Sequence, residues 1–481
     1  MPVSAKIPVK SFPFLLDGEW VAQGAPLEVR SPYDGSAVGT TFWATREQLE
    51  RAIASSVRAF EKTRHMASYE RQQILRAVTD AIAARKEEFA QLITQEAGKP
   101  IKTARAEVDR AIFTFEIAAE ETVRIGGEWI PMDLLPSTVG RSGIVRRFPL
   151  GPVAAISPFN FPLNLVAHKI APAIASGCTM VLKPAPKTPL SSLLLAEVIS
   201  KAGWPAGALN VVSLSNEDAQ VLVADERLKM LTFTGSGAVG WRLKQMAGKK
   251  KVVLELGGNA AVIVHSDADV EYAAERCVAG GFSYAGQSCI SVQRIYVQRG
   301  IEEPFTKALL AKVAKLKTGD PSDEGCDVGP MINEDAAKRA EAWIEQAVAE
   351  GAKLLAGGKR RGSIVEPTVL TRTKPQMRVN CEEVFAPVVV VERYDDFDQV
   401  LRTVNDSPYG LQAGLFTRDA KLILQAYETL EVGGLMVGEV SSFRIDHMPY
   451  GGIKDSGLGR EGLRYSIEEM TEPKLLMLNL R

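Results

Sequence analysis

The chain has 481 residues, 46% of them hydrophobic and 24% charged, with a formal net charge of -1. That length is too great for a single hydrophobic core and calls for two or three domains, and the composition is that of an ordinary soluble globular protein. So balanced a charge argues against nucleic acid or an anionic membrane surface as partner and leaves small molecules.

The five cysteines, at 178, 277, 289, 326 and 381, are scattered, form no C-x-x-C pair and are joined by only four histidines. Neither a disulfide framework nor a zinc or other metal site is expected, and a reducing cytoplasm is the expected home. The N-terminal stretch MPVSAKIPVKSFPFLL lacks the apolar run of a signal peptide, and no later run reaches the ~18 apolar residues of a membrane span.

In chain order, residues 14 to 43 read as short strands and turns, with Asp17-Gly18 and Asp34-Gly35 as turn signals. From Thr45 to Ala97 the apolar period becomes helical, and Thr45 with Gln48 three positions on has the form of a capping box. Gly98-Lys99-Pro100 ends that region, and a further amphipathic helix is expected from Ile101 to about Arg124. Residues 126 to 151 alternate in the manner of an exposed hairpin, a form that pairs readily with another chain. Thereafter apolar strands alternate with helices, as in parallel α/β domains: Val153 to Ile156, Thr179 to Leu182, Leu209 to Val212, Met230 to Phe233 and Val252 to Leu254, with a crossover helix from Ser191 to Ala202.

Such sheets bind ligands beyond the carboxyl ends of their strands, so the segments after those ends carry the chemistry. In Ser157-Pro158-Phe159-Asn160-Phe161-Pro162, Asn160 offers an uncharged amide donor suited to an oxyanion, or else serves as a turn residue bonded to its own backbone. Lys183 directly follows a buried strand in Lys183-Pro184-Ala185-Pro186-Lys187, where it suits a ribose hydroxyl or phosphate, or is a solvated strand-end charge. Gly235-Ser236-Gly237-Ala238-Val239-Gly240 matches G-x-G-x-x-G between strand and helix, a form that lets the backbone approach a pyrophosphate. Glu255 lies about 20 positions further on, where the dinucleotide pattern expects a ribose ligand, and a catalytic role competes for it. Ser283 to Ser291, SYAGQSCIS, sets Cys289 among small, turn-permissive neighbours, so the thiol is a candidate nucleophile facing a cleft, or else a small core residue.

PFNFP around Asn160, VLKPA through Lys183, TFTGSGAVG, LELGGNA with Glu255, GQSC with Cys289, EEVFAPV from Glu382 and PYGGIKDSGLGREG from Pro449 occur in that order. Together they resemble the aldehyde dehydrogenase superfamily, over the chain from about residue 14 to the end. The resemblance implies an α/β fold of two doubly wound parallel-sheet domains plus a small β arm. A Rossmann-like cofactor domain would comprise 1–126 and 148–256, with 448–469 packing back on it. A catalytic domain would comprise 257–447, and an oligomerisation arm 127–147 and 470–481, giving a homodimer or homotetramer.

The same resemblance assigns Cys289 as nucleophile, Glu255 as general base and Asn160 as oxyanion donor beside the Cys289 backbone N–H. It places Lys183, Ser157, Phe159, Pro186, Lys187, Gly235, Ser236, Gly240, Leu256, Glu383 and Phe385 around the cofactor, NAD or NADP. Around the aldehyde it places Arg105, Phe161, Ser288, Ile290 and Arg444. The implied reaction takes an aldehyde to its acid through a Cys289 thiohemiacetal and thioester. A thiol near its usual pKa of ~8.5 is mostly protonated at neutral pH, so a nearby carboxylate that takes its proton, directly or through water, is useful.

Two positions depart from the family pattern. Phe159 stands where many relatives have tryptophan. Pro186, followed by Lys187, stands where relatives often carry a ribose-binding glutamate, and the loss of that carboxylate favours acceptance of NADP. Two arginines, Arg105 and Arg444, near one mouth would suit a carboxylate, sulfonate or phosphonate on the aldehyde, and the loop before PYGG resembles lactaldehyde- and phosphonoacetaldehyde-type members. The competing readings are a CoA-acylating relative, which would commonly lack Glu255, and a thiol-dependent hydrolase or esterase. The hydrolase needs a histidine partner, and none of His65, His168, His265 or His447 lies in a comparable motif.

Overall fold

The computed structural model describes residues 10–479. The first nine residues of the N-terminal stretch read above, and residues 480–481 of the expected oligomerisation arm, lie outside the described residues.

The helical region resolves into Arg46–Thr63, Ser68–Ala84 and Lys86–Ala97, followed by Ile101–Thr122. Its start is the capping box read from sequence: Gln48 N donates to Thr45 Oγ1 (3.3 Å) and Thr45 N donates to Gln48 Oε1 (2.8 Å). Its end is Gly98 at φ 67°, a left-handed cap that glycine adopts without strain. No helix among the described residues is long and apolar enough to cross a membrane.

An eight-stranded sheet runs in the order Glu19–Val21, Phe14–Leu16, Leu209–Val211, Met180–Lys183, Val153–Ile156, Met230–Thr234, Lys251–Glu255, Gly457–Leu458. Its five central strands are parallel. The chain adds strands on one side of Val153–Ile156 and then crosses to the other, so the sheet is doubly wound, with its switch point between Val153–Ile156 and Met230–Thr234. The crevice outside the carboxyl ends at such a point is where a ligand fits. Ser157, Lys183, Gly235 and Glu255 all stand at those ends.

A seven-stranded sheet follows in the order Lys353–Ala356, Thr368–Thr371, Val388–Tyr394, Val292–Gln298, Ala260–Val264, Gln412–Phe416, Gly434–Val437, parallel except for the first. Cys289 lies just ahead of Val292, at the amino end of this sheet. Only Leu256 to Asn259 separates Glu255, the last residue of one sheet, from Ala260, the first of the other. A third, small sheet pairs Gly127–Pro131, Arg141–Pro149 and Thr471–Asn479 antiparallel, and leaves Trp129, Leu475, Leu476 and Met477 exposed.

Buried charge locks the loops that reach the cleft. Glu107, on the Ile101–Thr122 helix, pairs with Lys99 and accepts from Leu163 N and Asn164 N (3.0 and 3.1 Å), capping the helix that follows the Asn160 loop. Burial pushes Lys99 down to about 8. Its ammonium lies 3.7 Å from the Phe161 ring centroid and 4.4 Å from that of Tyr284. Removing one member of a pair this deeply buried costs about 3–5 kcal/mol.

Candidate active site

A cleft of about 680 Å³ opens between the carboxyl ends of the first sheet and the amino ends of the second, and Asn160, Glu255 and Cys289 all line it. Cys289 is carried out of the core by three successive left-handed residues, Tyr284 (φ 49°), Ala285 (φ 52°) and Gly286 (φ 66°). Left-handed backbone in two non-glycine residues is strained and persists only where packing over-determines it. Here Tyr284 is buried and its hydroxyl donates to Ala97 O (3.0 Å). A Cβ on Gly286 would stand 2.2 Å from the Ala386 carbonyl oxygen.

The Cys289 sulfur lies 3.0 Å from Tyr450 Oη. Burial pushes the thiol up to about 12, against the hydrogen bond to Tyr450, which lowers it. Asn160 Nδ2 donates to Gln287 O (3.0 Å), which ties the amide to the turn before Cys289 and commits one of its two N–H bonds.

Glu255 is 3% exposed, and neither carboxylate oxygen is hydrogen-bonded among the described residues. Burial, and then the nearby Glu461 carboxylate, hold its carboxyl well above the usual range; Arg444 and Lys169 oppose them. Glu461 is held low, at about 2: its own burial is outweighed by Lys169 and Arg444 beside it. Lys169 Nζ donates to Thr232 Oγ1 (3.0 Å), Thr234 Oγ1 (2.7 Å) and Glu461 Oε1 (3.4 Å). A Cβ on Gly451, at φ 151°, would fall 2.9 Å from Glu255 Oε1, so the PYGG segment approaches Glu255 as only glycine allows. Glu255 therefore makes no hydrogen bond with the thiol, and Tyr450 does.

The other end of the cleft fits a dinucleotide. Lys183 is buried with no protein partner among the described residues, and desolvation lowers it to about 8, which leaves it protonated by about ten to one at pH 7. The buried Ser157 Oγ also lacks a partner. Gly235 and Ser236 present the N-terminus of the Gly237–Met246 helix, while Ala219, Val239 and Leu243 supply apolar surface for a flat base. Phe159 and Phe385 meet edge to face, centroids 6.0 Å apart, and Gly258 N donates to Glu383 Oε1 (2.8 Å), whose carboxyl burial raises to about 7. Pro186 and Leu256 complete this wall. Gly240 is not part of it: a Cβ there would strike Leu256 Cδ2 at 2.4 Å, so this glycine serves helix-to-strand packing. Lys187 is exposed and outside the lining, and Arg242, which sequence reading passed over, lines the cleft with no carboxylate partner among the described residues.

The expected substrate side divides. Arg105 is not in the cleft: Glu87 and Glu324 hold its guanidinium on the surface (2.9 and 2.7 Å), because the helical period turns position 105 away. Five residues on, Arg110 grips Asp446 with two hydrogen bonds (2.6 and 3.1 Å) and lies 5.8 Å from the Phe161 ring. Arg444 does line the cleft. Its side chain is buried, donates to Glu461 Oε2 (3.2 Å) and covers the Tyr450 ring at 3.6 Å, while its Nε has no hydrogen-bond partner among the described residues. Asp446 also accepts from Asn164 Nδ2 (3.1 Å) and His168 Nε2 (2.7 Å); despite its burial, His168 and Arg110 hold it far below the usual carboxylate range. Ile290 packs with Leu411 and Tyr450 beside Cys289, and the backbone N–H of Ser288 donates to Gly286 O (2.9 Å) in the turn. No histidine lines the cleft.

The aldehyde dehydrogenase family model matches residues 20–476. The chain is 46% identical over 475 residues to 3-sulfolactaldehyde dehydrogenase of Priestia megaterium, covering 98% of this chain and 99% of that one. It is 39% identical to lactaldehyde dehydrogenase of Methanococcus aeolicus, with 97% and 100% covered. Among solved structures, aldehyde dehydrogenase 21 from Physcomitrella patens, in complex with the reaction product succinate, superposes with a TM-score of 0.97 at 46% identity, covering 98% of this chain and 99% of that chain.

Proposed function

The chain belongs to the aldehyde dehydrogenase family and oxidises an aldehyde with NAD or NADP, and from that premise we propose that its aldehyde is small and carries a polar or anionic group, and that Cys289 attacks it. The observation that carries the substrate reading is Arg444, a buried cation in the same cleft as the thiol, lying on the ring whose hydroxyl touches the sulfur. The names of similar proteins support it, since a sulfolactaldehyde and the precursor of succinate both bear an anion remote from the aldehyde carbon. Replacing Arg444 by alanine is expected to raise KM for an anionic aldehyde more than for a neutral one of the same size; equal effects would remove the reading.

The residues divide the labour as follows. Cys289 Sγ forms a bond to the aldehyde carbon, and the carbonyl oxygen, gaining charge, is held by the free Asn160 N–H and the Cys289 backbone N–H. Donors so placed are worth ~2.7–4 kcal/mol each. Lys183, Ser157 and the N-terminus of the Gly237–Met246 helix hold the nucleotide, with Glu383, Phe159 and Phe385 at its reactive end. When bound, the nicotinamide accepts the two electrons and hydrogen that the aldehyde carbon gives up. Glu255 then takes a proton from water; the water oxygen bonds to the acyl carbon, the C–S bond breaks, and the electron pair returns to sulfur. Burial suits Glu255 to this, because a carboxylate whose proton affinity is raised is the stronger base.

Pro186 in place of a carboxylate, with Arg242 lining the same cleft without a carboxylate partner among the described residues, supports acceptance of NADP. A steady-state preference for NAD above about a hundredfold, ~2.7 kcal/mol, would sink it. The division into cofactor (1–126, 148–256, with 448–469), catalytic (257–447) and oligomerisation (127–147, 470–481) parts, and a homodimer or homotetramer joined through the arm, belong to the same proposal. The apolar Trp129, Leu475, Leu476 and Met477 on the arm support it, and light scattering tests it. A panel of aldehydes assayed for reduced nicotinamide, with and without coenzyme A, tests the whole reading: turnover that requires coenzyme A would favour the acylating alternative.

A further inference from the structure

Tyr450 is held in one orientation by everything around it. Its backbone pairs with Glu461 in both directions (3.0 and 2.6 Å), its side chain packs against Ile290 and Leu411, and the Arg444 guanidinium covers the ring at 3.6 Å. The residue is 3% exposed, and Cys289 Sγ, 3.0 Å away, is the only hydrogen-bond partner of its hydroxyl among the described residues. While both groups are neutral, either can donate. Once the sulfur ionises, only the phenol can, and the bond becomes charge-assisted and about twice as strong. Burial, and then the neighbouring Cys289 sulfur, hold the phenol well above its usual range, so it keeps its proton at neutral pH. Glu255, by contrast, has no hydrogen bond to the sulfur and cannot hold the anion.

We propose that Tyr450 is a catalytic residue of this chain, its hydroxyl donating to the Cys289 sulfur when the thiol ionises and again when the sulfur leaves the acyl carbon. The role rests on the reading of Cys289 as nucleophile. In the first step the thiol proton leaves to solvent while the phenol keeps its own, and the sulfur electron pair forms the C–S bond. In the second that pair returns to sulfur, and the same O–H receives it. The Arg444 guanidinium on the ring face draws charge from the phenol and makes it the better donor.

The test is the rate at which iodoacetamide alkylates Cys289, followed across pH and located by peptide mass spectrometry. In Tyr450→Phe the thiol midpoint should rise by about one unit. Because a more basic thiolate is also more nucleophilic, alkylation at fixed pH should then fall about threefold rather than tenfold, and kcat/KM for aldehyde should fall with it while KM for the nucleotide holds. Placing 3-fluorotyrosine at position 450, a more acidic donor of nearly the same shape, should move alkylation the other way. Profiles that superimpose on the unmodified protein, or two variants that shift in the same direction, would overturn the role. Cys289→Ser, assayed beside them, separates the premise: turnover in that variant defeats the nucleophile reading, whereas the alkylation profiles still report on Tyr450.

Discussion

The two ends of the cleft treat their buried cations in opposite ways. At the nucleotide end Lys183 and Ser157 Oγ are buried and unpaired among the described residues, a state that costs free energy unless a ligand relieves it. At the aldehyde end Arg110, Asp446, Arg444, Glu461 and Lys169 spend their charges mostly on one another, and His168, which burial holds toward its neutral form, donates to Asp446. One end is a socket whose donors wait for a partner. The other is a frame whose charges fix positions, and Arg444 is the member that still faces the cleft.

That contrast can be broken at graded cost. Cys289→Ser belongs to neither end and should lose about 10⁴-fold or more in turnover by either nucleotide, measured at saturating aldehyde. Glu255→Gln should lose about 10²–10⁴-fold in steady-state turnover yet keep a stopped-flow burst of reduced nicotinamide, because the thioester still forms; loss of the burst would place Glu255 in the first step instead. Asp446→Asn attacks the frame and should destabilise the fold by about 3–5 kcal/mol in denaturant unfolding, since it strands Arg110 and His168. The sign with pH is fixed too. The folded Asp446 carboxyl lies below its unfolded value, so its contribution is present above the ordinary aspartate pKa and is lost as pH falls below it. Lys183→Met attacks the socket and should raise KM for the nucleotide about tenfold with little loss of stability, because its desolvation cost goes with it. A large fall in the unfolding midpoint would show that Lys183 belongs to a frame after all.

Legibility in the sequence followed the same division. The socket is built from strand ends, and a strand end is a local event: an apolar run stops, and Ser157, Lys183, Gly235 and Glu255 follow directly. Apolar period therefore placed strands of the first sheet and the motifs at their ends, whereas the second sheet, Glu383 and Phe385 came only with the family resemblance. Gly240 fitted the motif but packs against Leu256 instead of facing the cleft. The frame is built from contacts across the chain, such as Tyr450 to Cys289 and Arg110 to Asp446, which no local pattern records. Arg105 lies outside the cleft because helical phase, not proximity in sequence, decides which way an arginine on the Ile101–Thr122 helix faces. The PYGG segment carried Tyr450 in plain view, but a hydroxyl on a ring gives no signal until the fold brings a sulfur to it.

The segment Leu256 to Asn259 has a consequence of its own. It is the direct covalent link between the Glu255 strand and the Ala260 strand, and Gly257 and Gly258 leave no room for a Cβ against Glu383 and the Cys289 carbonyl. The base thus rides on one sheet and the thiol on the other, so the gap between them is a gauge of how the two sheets stand. A substitution far from either residue that tilts one sheet against the other should register first as slowed hydrolysis, before nucleotide binding or fold suffers.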